Sequence, residues 1–247
     1  MTLDVSGLDA SATALNRTVD ALGTDELAAP SLLPGWTRGH VVAHVALNGD
    51  ALAGVLDAVL RGEPVAMYES NDRRDADIDE LASAEQPELL DRLLAATTRF
   101  SDALEAMDEE AWHGTFTRTP GAEQLPVASV PAMRRRELEI HHADLGTFYG
   151  RADWPQDFVV ELLDVVTLDH AASGPFTVDA TDLGRSWPVG GPVVHTGGTT
   201  VSGTGADLGW WLTGRGEGDG LASTSGALPS LGPWRRASAT AVPTPEK

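Results

Sequence analysis

The chain has 247 residues, 42% of them hydrophobic, which is enough for one large or two small globular domains with a sizeable core. Its 37 Asp and Glu against 17 Lys and Arg give a formal charge of -20, which argues against nucleic-acid binding or attachment to an anionic membrane, since both rely on clustered cations. The absence of cysteine removes disulfides, a Cys nucleophile and thiolate metal ligands together, so any metal is held by His, Asp, Glu or backbone oxygen and any thiol comes from outside.

Leu8, Leu15, Val19 and Leu22 recur at helical spacing and predict a first helix. After SLLPGW, Thr37 reads as the N-cap of a second helix running to about Arg61. Its apolar positions are Val41, Val45, Leu52, Val55, Leu56 and Val59, and it also carries His40, His44 and Asn48. RGEPVAMYESNDRRDADIDE reads as a polar connector, after which Leu89, Leu93, Phe100 and Leu104 set out a third helix. A Gly-, Pro- and Thr-rich crossover, HGTFTRTPGAEQLPVASVP, leads to RRRELEIHHADLG, with Pro131 suited to the first turn of a fourth helix. Four long helices with one or two long connections describe a four-helix bundle.

Beyond Gly150 the texture changes, and we place a domain boundary between residues 152 and 153. WPQDFVVELLDVVTLDHAAS predicts one more helix, while PFTVDATD, PVVHT and TTVSG alternate as short strands. ADLGWWLTG follows as a short helix whose Trp210 and Trp211 suit packing in the core or at a domain interface. The ending ASATAVPTPEK reads as frayed, His113 and His195 as structural or solvated, and no internal repeat is visible. The glycine-rich GTGADLG and GGPVVHTGGTT lack the strand-turn-helix context of a dinucleotide site. No run approaches about 18 uninterrupted apolar residues, and MTLDVSGLDASATAL lacks a basic segment followed by an apolar one, so the expected location is the cytoplasm.

The fourth helix carries Glu137, Glu139, His141, His142 and Asp144 among packing positions, where charge is expensive unless paired or bound to a metal. Glu137 and His141 are four apart and share one face, and facing helices that project carboxylates and imidazoles inward are how bundles build metal sites. A His2Glu set with an open position is a catalytic zinc arrangement. Spacing alone leaves two alternatives open: His40 together with His44, and Glu139 with His142 in place of Glu137 with His141.

Four blocks, LLPGWTRGHVVAHVALNGDAL, MYESNDRRDADI, RRRELEIHHADLG and ADLGWWLTGR, keep their order across nearly the whole chain. Together they resemble the mycothiol-dependent maleylpyruvate isomerases of the DinB-like superfamily. The resemblance implies an all-α DinB-like bundle over residues 1–152 and a small α+β domain similar to sterol-carrier proteins over 153–247. It implies one zinc per chain on His44, Glu137 and His141, with mycothiol as the thiol cofactor. Arg215 of WLTGR falls on the family's catalytic arginine, and Arg74 and Asp144 on substrate-binding positions. The implied reaction is cis-trans isomerisation of maleylpyruvate to fumarylpyruvate in aromatic-acid breakdown, by a monomer whose partners are small molecules. A mycothiol S-transferase acting on another electrophile and a non-catalytic binding module are the competing expectations.

Overall fold

The computed structural model describes residues 7–170, 174–190 and 198–232. Two compact units divide between Phe148 and Tyr149. In the first, α1 (Leu8–Ala21), α3 (Arg38–Leu60), α5 (Gln86–Glu105) and α6 (Val130–Asp144) form the bundle, with a short α2 (Thr24–Ala28) before α3. Helix α3 packs on α5 and α6, and α1 closes the ring by packing on those same two helices.

Thr37 caps α3 as its side chain predicts, its Oγ1 accepting from the His40 backbone N–H at 3.3 Å. Helix α3 buries residues on every side, from Val41 and Val42 through Val45, Leu52 and Val55 to Leu56, the behaviour of a central helix. Among the described residues it is the one helix long and apolar enough to cross a membrane, but 72% of its most apolar window is buried inside the fold. Gly49 leaves room where α3 meets α5 and α6, because a Cβ there would stand 2.9 Å from Arg134 Nη2 and 3.3 Å from the Ala96 Cβ. The Arg134 guanidinium passes through that gap to donate to the Val45 carbonyl (2.7 Å) and Asn48 Oδ1 (3.1 Å).

The supposed connector contains another helix, α4 (Asn71–Ala82), packed on α3 and capped by Ser70 Oγ, which accepts from the Arg73 N–H at 3.0 Å. Its buried residues are Arg74 and Ile78, one turn apart, so it shows no apolar stripe for periodicity to detect. The crossover before α6 holds a hairpin of β1 (Thr115–Thr117) and β2 (Gln124–Pro126) around the buried Phe116. The segment from Val65 to Tyr68 lies beside β1: the Met67 N–H donates to the Thr117 carbonyl at 2.8 Å and the Tyr68 N–H to that of Arg118 at 2.9 Å.

The second unit is α+β. Helix α7 (Gln156–Asp169) packs on α8 (Gly205–Leu212), and both lie against a four-stranded mixed sheet. Its strands are β3 (Phe176–Ala180), β4 (Arg185–Val189), β5 (Thr200–Gly203) and β6 (Ala222–Ser223), ordered β4-β3-β5-β6. β3 runs antiparallel to β4 and parallel to β5. Phe176, Val178 and Ala180 face inward from β3. β4 escapes sequence reading because Arg185, Ser186 and Pro188 dilute its two buried positions, Trp187 and Val189. Trp211 is buried with its ring 5.9 Å from Phe176, and Trp210 lies 5.8 Å from Trp154. The expected strand PVVHT, with His195, and the ending ASATAVPTPEK lie outside the described residues.

Candidate metal centre

Arg38, in the first turn of α3, donates from Nε to the Leu145 carbonyl (2.8 Å) and from Nη2 to that of Gly146 (3.2 Å). A cation thereby meets the carbonyl end of α6, and the start of one helix is tied to the end of the other. His44, on the second turn of α3, is thus brought opposite the last turns of α6. His44 Nε2 lies 2.9 Å and His141 Nε2 3.2 Å from Glu137 Oε2. The imidazoles stand edge to face, 4.7 Å apart at 89°. One nitrogen or oxygen from each of the three residues falls within 4.8 Å of the others, and all three residues are buried.

The alternatives that spacing left open are separated by what each side chain faces. The His40 ring turns back on its own helix end: Nδ1 accepts from the Thr37 N–H at 3.3 Å and meets Thr37 Oγ1 at 2.7 Å. Glu139 and His142 face α1, where Ser11 Oγ donates to Glu139 Oε1 (2.5 Å) and Thr18 Oγ1 lies 2.7 Å from His142 Nε2. Of the candidate ligands, His44, Glu137 and His141 are the ones that converge.

Their surroundings suit a divalent cation. Burial would push the Glu137 carboxyl up, but hydrogen bonds from His141 and His44 override it and hold the group well below its usual range, so it is ionised. Burial pushes His44 down to about 4, against the opposing pull of Glu137, so its imidazole is neutral and can ligate. Asp144 is fully buried, and its Oδ2 lies 2.8 Å from His141 Nδ1. Held through Nδ1 by this contact, His141 offers Nε2 to a metal once that nitrogen has given up its proton, the carboxylate-imidazole pairing that orients ligands in metal sites. Two imidazoles and one carboxylate are a donor set that zinc accepts.

Arg74, from α4, is 6% exposed, and its Nη2 approaches His44 Nδ1 at 3.2 Å while its Nη1 pairs with Asp75 at 2.6 Å. The Trp36 ring lies 5.7 Å from that of His44. Arg215 belongs to the second unit, just past α8, where its Nη1 donates to the Thr213 carbonyl at 3.0 Å and its guanidinium lies 5.8 Å from the Trp210 ring centre. Sequence reasoning missed Trp36, Tyr68 and Arg118, which lie in loops or at a strand end with no periodicity to mark them. A separate groove of about 790 Å³, lined by residues including Leu60, Glu63, Val65 and Phe116, contains none of the three converging residues.

The family model for the mycothiol maleylpyruvate isomerase N-terminal domain matches residues 8–146, the whole of the bundle and all three converging side chains. The chain belongs to this family. A crystal structure of the mycothiol-dependent maleylpyruvate isomerase is similar over 95% of this chain and 98% of its own, at 26% identity and a TM-score of 0.84. A histidine-to-alanine mutant of that enzyme is similar at 25% identity, TM-score 0.83 and the same coverage. YfiT from Bacillus subtilis, described as a probable metal-dependent hydrolase with an unusual four-helix bundle topology, shares the fold at 17% identity and a TM-score of 0.50, over 61% of this chain and 86% of its own. No curated protein matches the sequence.

For this member of the isomerase family, acid is expected to weaken metal binding through His141. Burial would lower its pKa, but Asp144 and Glu137 outweigh burial and raise it above the ordinary histidine value. A metal must then displace a proton from His141 at any pH below that raised pKa, whereas His44 and Glu137 have none to give up near neutrality. Affinity should be flat above the His141 pKa and fall by about one log unit per pH unit below it. Titrations with a competing chelator between pH 5 and 8 measure this, and a pH-independent affinity would contradict it.

Proposed function

We propose that the protein is a zinc- and mycothiol-dependent maleylpyruvate isomerase that converts maleylpyruvate to fumarylpyruvate. The observation that carries the reading is the buried His44, Glu137 and His141 convergence in a family member that has no cysteine of its own. Zinc bound by these three residues would supply the Lewis acidity that keeps an incoming thiol ionised at neutral pH.

The substrate is a carboxylate-bearing cis alkene conjugated to a carbonyl. Its double bond becomes single when a thiol adds, turns, and re-forms as trans when the thiol leaves, so no atom is gained or lost. The protein's tasks are to hold the substrate's carboxylates, to compensate the charge that gathers on the carbonyl oxygen, and to exclude water. We assign the first two to arginines, whose planar forks bind carboxylate with fixed geometry. Arg74 beside His44 is the substrate-binding arginine of the bundle, and Arg215 of WLTGR is the catalytic arginine of the second unit. Asp144, first expected at the substrate, is proposed to act through His141 by holding its ring. The second unit is proposed to be of the sterol-carrier type, and the enzyme to be cytoplasmic.

The test is turnover of maleylpyruvate by the metal-loaded protein, with and without mycothiol. Activity is expected only with the thiol, which is recovered unchanged. Full activity after exhaustive removal of thiols would refute the mechanism. Consumption of mycothiol with a lasting adduct would assign a thiol transferase instead.

A further inference from the structure

Three segments distant in sequence bring two guanidiniums and a phenol together beside His44. Tyr68 and Arg118 are backbone neighbours, fixed by the bond from the Tyr68 N–H to the Arg118 carbonyl at 2.9 Å, and Arg74 comes from the first turn of α4. The Arg74 guanidinium lies 5.8 Å and that of Arg118 5.5 Å from the Tyr68 ring centre. Arg74 also touches His44 Nδ1, so the group adjoins the metal-capable triad.

We infer that Tyr68, Arg74 and Arg118 form a carboxylate-binding cage, and that it takes a carboxylate of the electrophilic substrate. The identity of that substrate rests on the proposed function; the cage itself rests on two observations. First, among the described residues no carboxylate lies within ion-pair distance of Arg118, although the chain carries 37 acidic residues, and the ion pair of Arg74 is with Asp75, which is 62% exposed. Secondly, the Tyr68 hydroxyl and Arg74 Nε are buried without a hydrogen-bond partner among the described residues. Asn48 faces the hydroxyl but does not meet hydrogen-bond geometry. Leaving buried polar groups unpaired is costly, so these neighbouring donors call for an acceptor. A carboxylate, which only accepts, is the ligand that satisfies a phenol and two guanidiniums at once.

Burial raises the Tyr68 pKa and lowers that of Arg118, as expected for groups already withdrawn from water, and Tyr68 remains a donor at neutral pH. A purely structural stack of arginines on a ring would use its π faces and still leave the hydroxyl and Nε unpaired.

Maleate, a cis dicarboxylate, is the probe, and its dissociation constant is measured by calorimetry on the metal-loaded protein without thiol. Arg118→Gln should weaken maleate by at least about tenfold, the loss of a charge-assisted pair. Tyr68→Phe should weaken it about three- to tenfold, the loss of one neutral donor. Arg92→Gln, which removes an exposed arginine paired with Asp50 on the outside of the bundle, should bind as wild type. All three should keep their metal. Should Arg118→Gln fail to fold, Arg118→Lys, which keeps the charge but loses the planar fork, replaces it and should fall between it and wild type. A wild-type protein that ignores maleate, cage variants that bind it undiminished, or an equal loss in Arg92→Gln would overturn the cage. If maleate binds through Arg118 but thiol-dependent turnover is absent, the cage stands and the isomerase reading falls. If turnover proceeds and Arg118→Gln leaves both KM and maleate binding unchanged, the cage alone falls.

Discussion

Replacing His44 with alanine is expected to lower metal affinity by more than about a hundredfold, beyond the range typical of losing a partner that only orients a ligand. His44 is 1% exposed and contributes one of three converging donors, and no other described His, Asp or Glu stands close enough to take its place. The bundle should remain folded, because α3 is held by Val41, Val45, Leu52, Val55 and Leu56 and not by the imidazole. His40→Ala is the informative partner, only one turn away on the same helix. Its ring is engaged with Thr37 at the helix start, so its loss should cost about 1 kcal/mol of stability through the cap and leave the metal in place. Metal analysis and circular dichroism on both variants decide the matter. Full metal content in His44→Ala, or its loss in His40→Ala, would mean the ligand has been misassigned within HVVAH.

Arg215→Ala is expected to lower turnover by about a hundredfold or more, with metal content and fold intact, as for loss of one contact made chiefly in the transition state. The competing explanation of Arg215 is local. Gly214, at φ +75°, ends α8, and the Arg215 side chain donates to the Thr213 carbonyl, as a cation at a helix C-terminus does. That role is worth a few tenths of a kcal/mol to about 1 kcal/mol of stability and predicts little change in turnover. Arg215→Lys separates the two. A lysine can still serve a helix end, but it cannot hold a carboxylate bidentately, so it should rescue stability and not catalysis. Unchanged turnover in Arg215→Ala with metal bound would return the residue to a structural role.

The long amphipathic elements were legible because their physics is local. Thr37 and Pro131 announce helix starts, and Val41 through Val59 or Leu89 through Leu104 announce faces to be buried. Helix α4 was not, because its inward face is an arginine and an isoleucine, and a polar helix held by one cap and one neighbour looks like a loop. The ligands were half legible. The i,i+4 rule says that Glu137 shares a face with His141, but which face looks at α3 and which at α1 depends on where those helices stand. Arg118 could not be found, since a single arginine at the end of a three-residue strand carries no periodic signal, and its meaning comes from Tyr68 lying alongside.

The hydrogen bonds from α1 to Glu139 and His142 bear on more than that helix seam. Rotation of α6 by a single residue, about 100°, would exchange the converging pair for Leu138 and His142. Buried hydrogen bonds on the far side of the helix favour the observed rotation, since turning α6 would break the contacts of Glu139 with Ser11 and of His142 with Thr18. The direction in which Glu137 and His141 point is therefore steadied from the opposite side of the helix, where a serine and a threonine of α1 hold Glu139 and His142.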